Sequence, residues 1–121
     1  MPRIMLVEDD ATMLSLLKTL LMMERFETVT LSEQENVLDA IYRDRPDAIL
    51  LDVHLAQGNG VDLLREIRSD PSLHNIIVIM QSGMNLASEC AAAGADTFLL
   101  KPYMPDVLID AIKIGLASRS S

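Results

Sequence analysis

Aromatic residues are almost missing from this chain: there is no tryptophan, and two tyrosines and two phenylalanines are spread over 121 residues. A core assembled from rings is excluded, so burial must come from Leu, Ile, Val, Met and Ala, because half of the residues are nonetheless hydrophobic. A single cysteine, Cys90, rules out an internal disulfide. It lies in the small-residue run ECAAAGA and reads as a buried structural thiol in a reducing compartment. Basic residues are outnumbered, ten Lys and Arg against 18 Asp and Glu, for a formal charge of −8. A surface of that sign repels a phosphate backbone, which disfavours direct contact with DNA or RNA. Long apolar runs are absent as well. No stretch approaches the roughly 20 apolar residues that span a bilayer, and MPRIML lacks the pattern of an export signal, so the expectation is a cytoplasmic protein without membrane association.

What the sequence does have is alternation. Apolar runs of strand length, at about residues 3–8, 26–31, 47–52, 76–81 and 96–100, take turns with segments of helical period. Runs such as AILLD and IIVIM suit parallel strands buried on both faces. In the first helix Met13, Leu16, Leu17, Leu20 and Leu21 follow the spacing of a stripe that faces a sheet, and Leu14 lies off it. The second helix is expected to open on the capping box Ser32-Glu33-Gln34-Glu35, to turn Val37, Leu38 and Ile41 inward, and to stop before Pro46. The third follows Gly60 with Val61, Leu64 and Ile67 inward, the fourth ends at Gly94, the fifth starts near Pro105, and residues 118–121 fray. Right-handed crossovers fold five such units into a doubly wound (βα)5 α/β fold, flavodoxin-like, with a parallel sheet of order 2-1-3-4-5 occupying residues 1–121 as a single domain.

In a fold of this kind ligands gather at the carboxyl ends of the strands. There the first strand runs into Glu8, Asp9 and Asp10, the third ends in Asp52, the fourth in Ser82, and the fifth is followed by Lys101-Pro102. Each of these alone reads as a helix cap or a solvated charge. Together they do not, because carboxylates crowded at one edge repel one another unless a positive charge sits among them. Hard oxygen ligands with room for water suit Mg²⁺. Neither histidine belongs to a spaced ligand pair and the cysteine is remote, which argues against zinc.

Over essentially its whole length the chain resembles the response-regulator receiver family of two-component signalling, including the chemotaxis-regulator type. IMLVEDD looks like that family's acidic doublet, DAILLD like its phosphoacceptor strand, VIMQSG like its hydroxyl-bearing strand, and FLLKPY like its lysine-proline turn, whose peptide bond is cis in the family. The resemblance implies a signal-transduction phosphoprotein that forms an aspartyl phosphate on Asp52, fed by a sensor histidine kinase or a histidine phosphotransfer protein of a phosphorelay. Glu8, Asp9, Asp52 and the backbone carbonyl of His54 would hold Mg²⁺, Lys101 and Ser82 would contact the phosphoryl group, and Asp10 would be a neighbour. Ser82 and Phe98 would form the switch that changes the surface of the fourth helix, fifth strand and fifth helix for a downstream protein target; a plain core ring is the other reading of Phe98. Such a protein takes part in its own phosphorylation and dephosphorylation but has no separate turnover substrate, and so is not an enzyme.

Two departures qualify the match. Many members carry a proline four residues after the phosphoacceptor, where this chain has Ala56, so the loop is expected to be looser and the His54 carbonyl less constrained. Met84 and His54 stand two residues beyond Ser82 and Asp52; bulky Met84 is expected to hinder the water that hydrolyses the acyl phosphate, with His54 a bystander. Leu14, off the core stripe and beside the acids, is expected to be exposed and to dock the phosphodonor. A phosphorylation-independent adaptor of receiver shape would normally lack Asp52, Lys101 or the acidic doublet. An aspartate-based phosphatase wants a second acid where His54 stands, and a flavin binder wants a phosphate-cradling loop where Glu8, Asp9 and Asp10 stand. The chain reads as either a stand-alone receiver or one excised from a longer protein.

Overall fold

The computed structural model describes residues 1–31, 35–55 and 58–120, with only the backbone of Ser120. In chain order the elements are β1 (Arg3–Val7), α1 (Ala11–Met23), β2 (Glu27–Thr30), α2 (Val37–Asp44), β3 (Ala48–Asp52), β4 (His54–Leu55), β5 (Gly58–Asn59), α3 (Gly60–Ser69), β6 (Ile77–Ser82), α4 (Ala87–Ala92), β7 (Thr97–Leu100) and α5 (Pro105–Ser120). Five strands form one parallel sheet in the order β2-β1-β3-β6-β7. With the small β4-β5 hairpin set aside, this is the doubly wound order expected from the sequence. The hairpin itself was not anticipated.

Side chains alternate across a strand, and here the alternation sorts the core into two layers. Met5, Val7, Ile49, Leu51, Val78 and Met80 point to the side covered by α2, α3 and the Cys90 turn of α4. Ile4, Leu6, Ala48, Leu50, Ile77 and Ile79 point to the side covered by α1 and α5, through Leu17, Leu21, Leu108 and Ile112. Because both faces are covered, the strands read as continuous apolar runs. Cys90 is fully buried in the first layer, and burial pushes its thiol upward, away from the reactive thiolate.

Three helices are started by side chains that accept a free backbone N–H: Asp10 from Met13 at 3.0 Å, Asn36 from Asp39 at 3.1 Å, and Asn59 from Val61 at 2.7 Å. The cap of α2 is thus Asn36; of the capping box expected at Ser32-Glu33-Gln34-Glu35, residues 32–34 lie outside the described residues. In α1 the expected stripe needs correction. Leu17 and Leu21 are buried, but Leu16 is 50% exposed, and Leu14 is half-buried against the α1–α5 layer. Positions 14, 17 and 21 are three and seven residues apart and share a face, whereas 16 falls toward the opposite side. A buried leucine contributes about 1.5–3 kcal/mol relative to an exposed one, so Leu17 and Leu21 anchor α1 and Leu16 does not. Residues 118–120, expected to fray, continue α5, since Arg119 donates to the carbonyl and to the carboxylate of Asp47, each at 3.0 Å.

Candidate functional site

Parallel pairing puts the carboxyl ends of four strands in one row. Val7 pairs with Leu51, Asp52 with Gln81, and Ser82 with Leu100, so Glu8, Asp52, Ser82 and Lys101 follow one another across the sheet edge. At its centre the Lys101 ammonium lies 2.6 Å from Oδ2 of Asp52 and 3.3 Å from Oε2 of Glu8. Burial works against the Lys101 charge, but the hydrogen bond and charge of Asp52, with Glu8 behind, outweigh it and hold the ammonium above its ordinary value. The Lys101–Pro102 peptide is cis, as in the resembled turn.

The remaining oxygens of these acids are also engaged. Oδ1 of Asp52 accepts from the backbone N–H of His54 at 2.9 Å, and Oε1 of Glu8 accepts from the N–H of Asp10 at 3.1 Å. Asp10 is spent on capping α1, whereas Asp9, next to Glu8 in the chain, is exposed. Two carboxylates, not three, therefore share the lysine. Among the described residues no group of three or more His, Cys, Asp and Glu is gathered closely enough to hold a metal ion by itself. Mg²⁺ does not require one, because it keeps several waters and binds through one or two carboxylates. Glu8 and Asp52 against one ammonium leave one negative charge over, with exposed Asp9 following Glu8 in the chain, so a cation would meet carboxylate charge here.

His54 supplies backbone, not a ring, to this site. The Gly60 N–H donates to the Val53 carbonyl at 2.7 Å, and bonded and non-bonded pairs alternate along an antiparallel ladder, so His54 opposite Asn59 is a non-bonded pair. Its N–H and C=O therefore face away from the hairpin, on the side where the N–H meets Asp52. Gly60 is what brings α3 so close: a Cβ there would stand 2.2 Å from the Asp52 carbonyl oxygen.

Ser82 is buried, and its Oγ accepts from the Met84 N–H at 3.1 Å, which leaves its own O–H to donate. Met84 is exposed beside it. Phe98, which pairs with Met80 across β6 and β7, is half-buried against the α2–α3–α4 layer, neither free nor locked in the core. Two site residues escaped the sequence reading, Gln81 and Tyr103. The Tyr103 hydroxyl donates to Oε1 of Gln81 at 2.5 Å, and the Gln81 amide donates to Glu8. Burial, with the charges of Glu8 and Asp52, pushes the Tyr103 phenol far up, so it stays protonated. The available signal was a lone polar residue in the apolar run IIVIMQ.

Residues 4–113 match the family model of the response regulator receiver domain, and the chain belongs to that family. The DNA-binding response regulator MtrA of Mycolicibacterium paratuberculosis is 30% identical over 94% of this chain, which spans 51% of the relative. The chain thus covers about half the length of such curated relatives. Among solved structures, the signal receiver domain of a signal transduction histidine kinase from Syntrophus aciditrophicus aligns over 98% of this chain and 92% of that one, at 27% identity and a TM-score of 0.85. The receiver domain of a sensor histidine kinase from Pseudomonas aeruginosa PAO1, which holds a magnesium ion in its active site cleft, aligns over 96% and 98% at 24% identity and a TM-score of 0.82. Response regulators act in two-component signalling, and this chain is a receiver domain of that system.

Proposed function

We propose that Asp52 accepts a phosphoryl group from the phosphohistidine of a sensor histidine kinase or histidine phosphotransfer protein. The observation that carries this reading is the Lys101 ammonium held 2.6 Å from Asp52 and 3.3 Å from Glu8. A carboxylate oxygen of Asp52 attacks phosphorus, the P–N bond breaks, and the imidazole leaves as an acyl phosphate forms. Lys101 and the free O–H of Ser82 donate to phosphoryl oxygens, so the chain contributes position and charge and needs no base. Glu8, Asp9, Asp52 and the His54 carbonyl would hold Mg²⁺, which when bound supplies positive charge against the phosphoryl oxygens. As Ser82 turns toward the phosphoryl group, Phe98 turns inward and alters the surface of α4, β7 and α5 for a downstream protein.

Leu14, although half-buried, lies on α1 next to the acids and contributes its exposed edge to docking of the phosphodonor. The chain has no separate turnover substrate. Its net charge of −8 argues against a nucleic-acid contact of its own, and no helix among the described residues is long and apolar enough to cross a membrane, which suits a cytoplasmic partner kinase. Intact mass after incubation with acetyl phosphate and Mg²⁺ tests the reading. One phosphoryl group should appear on the parent and none on Asp52→Asn; equal gain on both, or none on either, refutes it.

A further inference from the structure

Between the acidic pocket and the turn into α5 runs a chain of polar groups that the phosphoryl transfer does not use. Gln81 is fully buried in β6, a strand whose other members up to Met80 are apolar. A buried amide is costly unless both its ends are satisfied, so packing alone favours an aliphatic residue here. Both ends are satisfied, by Glu8 and by Tyr103. The direction of the chain is fixed by chemistry: a carboxylate only accepts, so the amide nitrogen must face Glu8, the amide oxygen is left for Tyr103, and the phenol must donate.

The Glu8 side chain is only 3% exposed, and two side-chain donors meet it there, Lys101 and Gln81. Lys101 is shared with Asp52, at the shorter distance, and a phosphoryl group would draw it further from Glu8. Gln81 has no such competing acid. We propose that Gln81, itself held by Tyr103, is a positioning residue that fixes the Glu8 carboxylate for the cation, and that Tyr103 thereby registers occupation of the cation site at the turn before α5. This rests on the reading of Glu8 as a Mg²⁺ ligand. Donors behind a ligand set its orientation, and their loss typically weakens metal binding about 10- to 100-fold.

Calorimetric titration with Mg²⁺ of the parent, Gln81→Met and Tyr103→Phe, alongside thermal melts, tests the positioning role. Gln81→Met keeps the volume without the amide and should bind Mg²⁺ about tenfold more weakly; Tyr103→Phe, one bond further out, should lose about threefold. A spectroscopic arm tests the link. With no tryptophan and two tyrosines in the chain, Tyr42→Phe leaves Tyr103 as the sole fluorophore. Its emission should change on adding Mg²⁺, with the calorimetric midpoint, and the change should vanish when Gln81→Met is added. Should Gln81→Met fail to fold, Tyr103→Phe and the emission titration decide alone. Parent-like affinity in the variants, or tighter binding, overturns the proposal while leaving the site reading intact, as does emission indifferent to Mg²⁺. A parent whose Mg²⁺ binding is absent, or unmoved by Asp52→Asn, refutes the site reading and the proposal with it.

Discussion

Gly60→Ala adds one carbon and two hydrogens, yet it should damage this protein more than most substitutions of larger size. The new Cβ would meet the Asp52 carbonyl oxygen at 2.2 Å and the Val53 Cα at 3.0 Å, both backbone atoms. Relief requires a displacement of about 1 Å, given that van der Waals contact between such atoms begins near ~3.5 Å. Neither side yields easily. Asp52 is paired with Gln81, Val53 donates to the Gln81 carbonyl at 2.9 Å, and the Gly60 N–H is bonded to Val53 at the point of collision. Overpacking of this kind costs about 1–3 kcal/mol, and for a domain of this size each kcal/mol lowers Tm by roughly 3–5 °C. Gly83→Ala is the matched control, because a Cβ there meets nothing within 4 Å. Thermal melts should therefore show a loss of roughly 4–12 °C for Gly60→Ala and no more than about 2 °C for Gly83→Ala. Since a misplacement of about 1 Å at a reacting group can lower a rate about 100-fold, phosphorylation by acetyl phosphate, followed by intact mass, should slow by at least tenfold in Gly60→Ala. A Gly60→Ala protein that melts and phosphorylates like the parent would show that the contact with Asp52 is unimportant.

Lys101→Met should lower stability by about 1–2 kcal/mol in denaturant titration without Mg²⁺, because two largely buried acids lose their shared donor, and should tighten Mg²⁺ binding in calorimetry by removing a competitor for them. As the folded-state value of Lys101 is raised, its contribution is complete below the unfolded value of about 10.4 and fades as pH climbs through the folded one, so parent and variant converge only in strong alkali. Asp47 is the opposite case: burial opposes its charge, but the Arg3 N–H and Arg119 outweigh it and hold the carboxyl below its ordinary value. Asp47→Asn should thus be less stable than the parent at neutral pH, with the gap closing as pH falls below about 4, measured by melts across pH. Met84→Glu, at a 60% exposed position beside Ser82, should hasten loss of the phosphoryl group several-fold, followed by mass over time; an unchanged lifetime removes Met84 from the path of the hydrolytic water.

Why some of this was legible and some not follows from the kind of signal each residue carries. Strands buried on both faces announce themselves as unbroken apolar runs, and the strands expected at about 47–52 and 76–81 lie within a residue of the observed Ala48–Asp52 and Ile77–Ser82. Glu8, Asp52, Ser82 and Lys101 were legible because each ends or follows such a run. The face of α1 was not, since Met13, Leu14, Leu16, Leu17, Leu20 and Leu21 offer more apolar positions than one sheet contact can bury, and only packing selects among them. The β4–β5 hairpin carries no periodicity at two residues per strand; it exists because the Gly60 N–H reaches back to Val53. Asn36 caps α2 for a local reason, its side chain standing three residues before the Asp39 N–H that needs an acceptor. Gln81 was visible as an oddity in its strand, but its meaning depends on register, which sets it between an acid from β1's end and a phenol beyond β7.

Asp47 ties the start of β1 and the end of α5 to one spot, its carboxylate taking the Arg3 N–H at 2.7 Å and the Arg119 guanidinium at 3.0 Å. That spot is the amino end of β3, five steps of about 3.3 Å from the reactive carboxylate at the other end. A fluorophore, affinity handle or surface tether attached beside Arg3 on β1 or beside Arg119 on α5 would therefore hang roughly 17 Å from Asp52, at the opposite end of the strands, and leave the mouth of the pocket clear for a phosphodonor.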